Sequence, residues 1–288
     1  MDTMHMTIEE IRNQGKKLGF SYIQTLSVYL YERILYWISQ QPFQDKMWLR
    51  RSDFYEKGKK KRTAPNQIVY YMRNISYQEL EQTFKYMFSR KEEQAYQIQW
   101  EMLFLDKQIE VALHIRLEKV AIPFKIIIRP VWFEEQFPEK EVYHFLLWEG
   151  KTAGYRAYPV ELYVAESFYE VLDKLELISD MKVYNTLYEV LHSYAVDGRR
   201  AYLNMSEIFK YQPMSSVEKR WDTILGYKDY TYMKKRWDRY RKSQKEEEVP
   251  WEECILLLEG FFTPIWKAVQ EDTIFVGDWM PHLGRFLV

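Results

Sequence analysis

Cationic side chains gather in one short stretch of this 288-residue sequence, where they could bind phosphate. The residues are Arg50, Arg51, Lys59, Lys60, Lys61 and Arg62. Closely spaced lysines and arginines attract nucleic acid because each contact with a phosphate releases condensed counterions. The stretch therefore predicts contact with phosphate or with an RNA backbone. The alternative is a solvated loop, since basic runs are common in exposed turns.

A second basic segment, residues 233–245, reads MKKRWDRYRKSQK and favours a helix. Trp237 and Tyr240 are three residues apart, so their rings would share one helical face. Rings that stack on bases, between arginines that hold phosphates, are typical of nucleic-acid-binding surfaces. A packed helix with a charged outer face is the alternative, and we favour it. The candidate contact residues of this helix are Lys234, Lys235, Arg236 and Arg239.

The acidic and histidine side chains do not form a catalytic pattern. Two carboxylates two residues apart on a strand would point to one face and could hold the paired metal ions of nucleotidyl transfer. No such pair lies beside a phosphate-binding turn among the best-placed acids, which are Asp53, Asp106, Glu110, Glu134 and Glu135. The five histidines are scattered without a metal-binding spacing. We therefore predict no metal and no cofactor.

The composition limits the class of protein. A formal net charge of -1 gives no general attraction to nucleic acid or membranes, so any nucleic-acid surface must be a local patch. The single cysteine, Cys254, excludes an internal disulfide and is expected in the core. The polar N-terminus is no signal peptide, and no apolar run reaches the roughly 18 residues of a membrane span. We expect a soluble, cytoplasmic protein without membrane contact.

The hydrophobic periodicity predicts an α+β fold in two domains, residues 1–155 and 156–288. The first domain should contain a mixed sheet with flanking helices, and the second should be helical throughout. Predicted strands are residues 47–49, 67–72, 97–105, 108–118 and 124–133. Predicted helices of the first domain begin at Thr7, at Phe20 and after Ser76, and those of the second are residues 159–177, 181–194, 204–210, 216–225, 231–244 and 251–269.

Four sequence blocks, in order, carry a resemblance to a known family. They are MWLRRS with APNQIVYYM between residues 47 and 72, IPFKIIIRP at 122–130, AYPVELYVAESFYEVL at 157–172 and DMKVYNTLYEV at 180–190. Together they resemble the AbiE-type abortive-infection nucleotidyltransferase toxins. Glu161, Ala165 and Glu166 match the third block of that family, and Lys182 matches the fourth. The resemblance implies a nucleotidyltransferase-like fold, and we add Lys182 to the candidate phosphate contacts.

The positions that carry catalysis in that family hold other residue types here. The resemblance places a Lys-Gly-Gly-like turn at Arg50, Arg51 and Ser52. It places an Asp-x-Asp pair over residues 65–68, where Asn66 and Gln67 stand. It places a third Asp at Ile127, so every expected metal-binding carboxylate is missing. Neutral amide and apolar side chains cannot balance the charge of two magnesium ions.

Two functions follow from the resemblance. The first is a catalytically degenerate relative of bacterial type IV toxin–antitoxin or phage-defence toxins, which binds RNA, an antitoxin-like protein or a paralogue. The alternative is an active nucleotidyltransferase toxin that uses unconventional residues, with Mg²⁺ and a nucleoside triphosphate, to modify tRNA or protein. We favour the first, because one substitution could be an alignment error whereas five point to a changed site.

Overall fold

A computed structural model describes residues 6–50, 66–89, 96–105, 108–117, 120–131, 138–244 and 249–287. Within these ranges the chain forms two compact units. One unit contains residues 6–50 and 66–158, and the other contains residues 159–287. The basic residues Arg51 and Lys59 to Arg62, together with Ser52, lie outside the described residues.

Two capped helices begin the first unit, α1 (Ile8–Lys17) and α2 (Tyr22–Ser39). The Thr7 hydroxyl accepts the Glu10 N–H, and the Glu10 carboxylate accepts the Thr7 N–H in return. Ser21 and Gln24 form the same reciprocal pair at the start of α2. Each pair satisfies backbone donors that a helix start leaves without partners. Both predicted helices are confirmed.

A seven-stranded sheet follows, in the order β3-β4-β5-β2-β1-β7-β6. The pairs β2–β5 and β1–β7 are parallel and the other neighbours are antiparallel. The strands are β1 (Met47–Arg50), β2 (Gln67–Met72), β3 (Tyr96–Leu105), β4 (Gln108–Leu117), β5 (Val120–Pro130), β6 (Lys140–His144) and β7 (Thr152–Ala157), and α3 (Tyr77–Ser89) lies between β2 and β3. The five predicted strands are confirmed, whereas β6 and β7 were not predicted.

One face of this sheet packs against the helices and forms the apolar core. Ile68, Tyr70 and Met72 of β2 belong to this core, together with the buried residues of α2. The alternation follows from strand geometry, because successive side chains point to opposite faces. Gln67, Val69 and Tyr71 therefore lie on the other face, which we call the polar face.

A buried carboxylate joins α2 to the segment that follows β6. Glu32 is fully buried. It accepts the backbone N–H of Leu146 at 2.6 Å and that of Leu147 at 3.2 Å, and the hydroxyl of Tyr143 at 3.4 Å. Such donors are what allow a charged group to remain in an apolar interior.

The second unit is mainly helical. Its helices are α4 (Val160–Lys174), α5 (Lys182–Ser193), α6 (Gly198–Tyr211), α7 (Val217–Leu225), α8 (Thr231–Gln244) and α9 (Trp251–Gln270). A small sheet of β8 (Val196–Asp197), β9 (Asp278–Met280) and β10 (Arg285–Leu287) accompanies them and was not predicted. The α+β fold class, a mixed sheet with flanking helices followed by a helical half, is confirmed.

Tryptophans hold the second unit together through both burial and hydrogen bonds. Trp237, Trp251 and Trp279 are fully buried. Their indole N–H groups donate at 2.7 Å to the backbone oxygens of Val249, Tyr227 and Leu191, respectively. A buried indole N–H usually finds such a partner, which adds a hydrogen bond to the burial of the ring. Cys254 is also buried, as predicted. Within the described residues, no helix is both long and apolar enough to cross a bilayer.

Gly15 permits the close packing of α1 on α2. A Cβ atom at Gly15 would lie 2.0 Å from Oγ1 of Thr25 and 2.8 Å from its Cβ. A change of the Thr25 rotamer cannot relieve the second contact. We predict that Gly15→Ala lowers the free energy of unfolding by about 1–3 kcal/mol, as measured by urea titration.

Gly154 of β7 is the matched control, because nothing lies within 4 Å of the Cβ that an alanine would add there. Gly154→Ala should change the free energy of unfolding by less than about 0.5 kcal/mol. Equal effects of the two substitutions would contradict the close packing of α1 on α2.

Candidate functional site

The strand register brings the predicted site positions together on the polar face. Arg50 of β1 lies opposite Val69 of β2, and Val69 lies beside Ile127 of β5. Ile127 in turn lies opposite Glu110 of β4. Directly paired residues have side chains on the same face of a sheet. Strand β2 alone therefore separates Arg50 from Ile127. The resemblance places the turn at Arg50 and the third carboxylate at Ile127.

Of residues 65–68, over which the resemblance places the Asp-x-Asp pair, Gln67 lies on this face, whereas Ile68 belongs to the core. Gln67 lies at the start of β2, beside Lys125 of β5, and its side chain is exposed. The Asn66 carbonyl accepts the Lys125 N–H at 3.1 Å, so the backbone of Asn66 belongs to the sheet pairing. Val69, which was not among the predicted site residues, lies between Arg50 and Ile127 in the sheet.

A carboxylate does lie near Ile127, and its charge is balanced. Glu110 Oε1 is 2.6 Å from the Lys125 ammonium nitrogen. The Glu110 side chain is 15% exposed and that of Lys125 is 51% exposed. A carboxylate that is mostly buried and already paired with a lysine offers a divalent cation little net charge. Glu110 cannot replace the missing metal ligands by itself.

Arg129 gives the polar face a positive charge that no carboxylate among its partners in the described residues balances. Its Nε donates to Oε1 of Gln108 at 3.3 Å, and its Nη1 lies 3.5 Å from the Tyr71 hydroxyl. Both partners are neutral. The Tyr71 ring stacks on Tyr158 with the centroids 3.9 Å apart, which fixes that hydroxyl. Arg129 therefore has a half-buried guanidinium, and the two groups that hold it in position are neutral.

Sequence reasoning missed Lys125 and Arg129, although the sequence contains the signal. Lys125, Ile127 and Arg129 alternate along β5, so all three must share the face on which Ile127 was expected. Arg156 of β7 lies beside Trp48 on this face as well. Its guanidinium pairs with Asp45 at 2.8 Å, so its charge is balanced, unlike that of Arg129.

The described residues show no donor set for a metal ion. Among them, no group of three or more histidine, cysteine, aspartate or glutamate side chains could hold one. Of the described side chains around Val69 on the polar face, Glu110 is a carboxylate, and it is held in an ion pair. These described side chains do not fit a two-metal site of the nucleotidyltransferase kind.

Helix α8 uses Trp237, Arg236 and Arg241 for packing. Trp237 is buried, and Arg236 donates to the carbonyls of Glu176 and Ile178. Arg241 is buried and bonds to Asn185 at 2.7 Å and to Glu189 at 2.9 Å. The packed-helix interpretation is confirmed for these residues. Of the predicted contact residues on α8, Lys234, Lys235 and Arg239 are exposed, and Lys182 is exposed at the start of α5.

A cleft of about 400 Å³ opens between α7 and α9 of the second unit. Its lining residues are Glu218, Trp221, Asp222, Trp266, Gln270 and Glu271. Three of these side chains are acidic, so the cleft repels a phosphate group. Gln270 donates to Glu218 across it at 2.9 Å. The cleft is unsuited to a nucleotide, and no candidate from the sequence lies in it.

Glu161, which matches the family block at the start of α4, has a structural position. Its side chain is buried, and its Oε1 accepts the Asp197 N–H at 3.4 Å. Burial raises the pKa of this carboxyl above its ordinary value, because the charged form is the one that loses solvation. Glu161 therefore connects α4 to β8 within the second unit.

Comparisons with known proteins give a distant structural likeness. No family model matches the sequence, and no curated protein sequence matches it. JHP933 from Helicobacter pylori is similar with 11% sequence identity and a TM-score of 0.48, over 85% of this chain and 94% of that one. A second H. pylori structure, described as a candidate nucleotidyltransferase, has 12% identity and a TM-score of 0.46, over 87% of this chain and 98% of that one. Likeness at this level carries no argument about activity.

The raised pKa of Glu161 predicts a pH dependence of stability. The folded state favours the protonated form of Glu161, and this preference contributes to the free energy of unfolding. The contribution is fully present below the unfolded-state pKa of about 4.5 and is lost as the pH rises through the folded-state pKa. Glu161→Gln keeps an acceptor for Asp197 and removes the titration. We predict that the free energy of unfolding of Glu161→Gln, minus that of the unsubstituted protein, increases as the pH rises above 4.5. Urea titration at each pH measures this difference.

Glu170→Gln, on the same helix and more exposed, is the control for this experiment. Its stability difference from the unsubstituted protein should not rise with pH in the same way. Parallel pH profiles for Glu161→Gln and the unsubstituted protein would contradict the raised pKa.

Proposed function

We propose that this chain is a nucleotidyltransferase-fold protein that transfers no nucleotide and acts by binding RNA on the polar face of its sheet. One observation carries the proposal. The resemblance places a phosphate-binding turn at Arg50 and metal-binding carboxylates at Gln67 and Ile127, and β2 brings these positions to one face without a carboxylate at any of them. Among the described residues, the carboxylate opposite Ile127 is that of Glu110, which is paired with Lys125.

Loss of catalysis follows from the charges. Nucleotidyl transfer requires metal ions that neutralise a triphosphate and the developing charge of the leaving group. Two metal ions need several anionic oxygens, and Gln67, Val69 and Ile127 supply none. A cationic side chain such as Arg129 beside this position would further oppose metal binding.

The same charges favour a polyanionic ligand. Arg129 presents a planar guanidinium, whose donors match the oxygens of a phosphate and whose charge persists at every physiological pH. Arg50 begins the predicted basic stretch that continues through Arg51 and Lys59 to Arg62. A strand of RNA can contact several such cations in succession, whereas a single nucleotide cannot. RNA is therefore the ligand that these residues support best.

The biological setting of the proposal comes from the resemblance alone. It supports a cytoplasmic, bacterial protein related to type IV toxin–antitoxin or phage-defence systems, with an antitoxin-like protein or an active paralogue as a further partner. A winged-helix antitoxin gene beside the gene for this chain would support that setting. Co-purification with the product of such a gene would support the partner.

The first experiment tests for catalysis. We predict no transfer of label from any of the four α-labelled nucleoside triphosphates to tRNA or protein, with Mg²⁺ or with Mn²⁺. A working AbiE-type nucleotidyltransferase assayed in parallel shows that the conditions allow transfer. Label transferred by this chain above the level of a boiled sample would overturn the proposal and favour the active-toxin alternative.

The second experiment tests RNA binding through two opposite substitutions. Arg129→Gln removes the unbalanced cation and should weaken binding of single-stranded RNA about three- to tenfold, because a phosphate contact is lost. Glu110→Gln releases Lys125 from its ion pair and should strengthen binding. Fluorescence anisotropy with a labelled RNA at low salt and at physiological salt measures both effects.

Lys16→Gln is the control, because Lys16 is an exposed cation on α1. It removes one charge from the protein without altering the polar face, so the affinity for RNA should not change. Absence of RNA binding at low salt, or equal losses with Arg129→Gln and Lys16→Gln, is incompatible with binding on the polar face.

A further inference from the structure

The two edges of the seven-stranded sheet differ in length and charge. Strand β6, at one edge, has five residues, of which Lys140 and Glu141 are charged. Strand β3, at the other edge, has ten residues, and Glu101 is its single charged one. Short length, lysine, proline and bulges are the usual devices that prevent an edge strand from pairing with another chain. Strand β6 has two of these devices and β3 has none.

Strand β3 is an edge strand with exposed apolar side chains. In the part of the chain that the structure describes, no strand lies beyond it in the sheet. Leu103, Phe104 and Leu105 are 42%, 54% and 50% exposed, although all three are apolar. On the core face, Ile98, Trp100 and Met102 pack against the apolar core and remain only partly buried. A strand placed against this edge would cover apolar surface and satisfy its outward backbone groups.

We propose that β3 pairs with β3 of a second copy of this chain, antiparallel, about a two-fold axis that passes through Trp100. In an antiparallel pair, residues directly opposite each other place their side chains on the same face of the sheet. The two-fold axis therefore lies midway between one residue and the same residue of the second copy, here between the two Trp100 residues. In this register Ile98 lies opposite Met102 of the second copy, and Gln99 lies opposite Glu101 of the second copy. The two sheets join into one.

Charge and length select Trp100 among the residues on which the axis could lie. An axis through Glu101 would place two carboxylates opposite each other, which is destabilising. An axis through Met102 would place Glu101 opposite an apolar leucine and would pair fewer residues. An axis through Gln99 also shortens the pairing, because β3 begins at Tyr96. Trp100 lies near the middle of the strand and gives both apolar pairs on the core face and an amide–carboxylate pair on the polar face.

A second copy fits this edge better than a charged partner does. Strand β3 has one carboxylate in ten residues. Charge on β3 would therefore contribute little to the recognition of an unrelated, charged strand. Its own sequence supplies the complement, since the Gln99 amide can donate to the Glu101 carboxylate in two symmetry-related pairs. Tyr77 of α3, which contacts the Phe104 ring edge-on at 5.5 Å, extends the apolar surface at the same end of the strand.

Two substitutions of Gln99, an exposed residue, test the register. Gln99→Glu places like charges opposite each other in both symmetric pairs and should weaken the dimer about fivefold or more. Gln99→Lys places opposite charges there and should strengthen the dimer by a similar factor. Sedimentation equilibrium of the full chain, from about 1 to 100 μM, measures the dissociation constants.

Gln97→Glu and Gln97→Lys are the matched controls, because Gln97 lies opposite an apolar leucine in the proposed register. Neither should change the dissociation constant, and circular dichroism confirms that each variant is folded. A monomer over the whole concentration range overturns the proposal. A dimer that is weakened by both Gln99 substitutions, or by neither, has another register or another interface and overturns it as well.

Discussion

The position of β2 between β1 and β5 is the constraint on which the candidate site depends. Strand β2 pairs antiparallel with β1 and parallel with β5, so its register is fixed on both sides. A slip of one residue would exchange its two faces. Ile68, Tyr70 and Met72 would then leave the core, which makes the slip costly. Burial of these three side chains therefore holds Gln67 and Val69 on the polar face, beside Arg50 and Ile127.

The core also contains a buried carboxylate that connects α2 to one edge of the sheet. Glu32 is buried on α2 and receives backbone donors from the segment between β6 and β7. The carboxylate replaces hydrogen bonds that these N–H groups would otherwise make with water. It thereby orients the β6–β7 hairpin, and β7 in turn carries Arg156 beside β1. Core packing and the geometry of the polar face are linked through this one group.

Several features of the fold could be predicted from local patterns. Thr7 with Glu10, and Ser76 before α3, are helix starts whose donors and acceptors lie within four residues of one another. The two-residue alternation of β3, β4 and β5 likewise predicted strands. Strand β6 was missed because its half-buried side includes Glu141 and its exposed side includes Val142, so the burial does not follow the hydrophobicity of the residues. The burial of β7 is irregular along the strand, and β8 has two residues, whose partner β9 is distant in sequence.

The sequence by itself determined which residue types occupy the presumed catalytic positions, since Arg50, Gln67 and Ile127 can be read without coordinates. It also determined that Trp237 and Arg236 share a helix with several lysines. Only the tertiary structure decided that Trp237 is buried, that Arg236 binds backbone carbonyls, and that Lys125 neutralises Glu110. The physical reason is that a charge or a ring takes its role from its neighbours, and those neighbours come from strands and helices far apart in the chain.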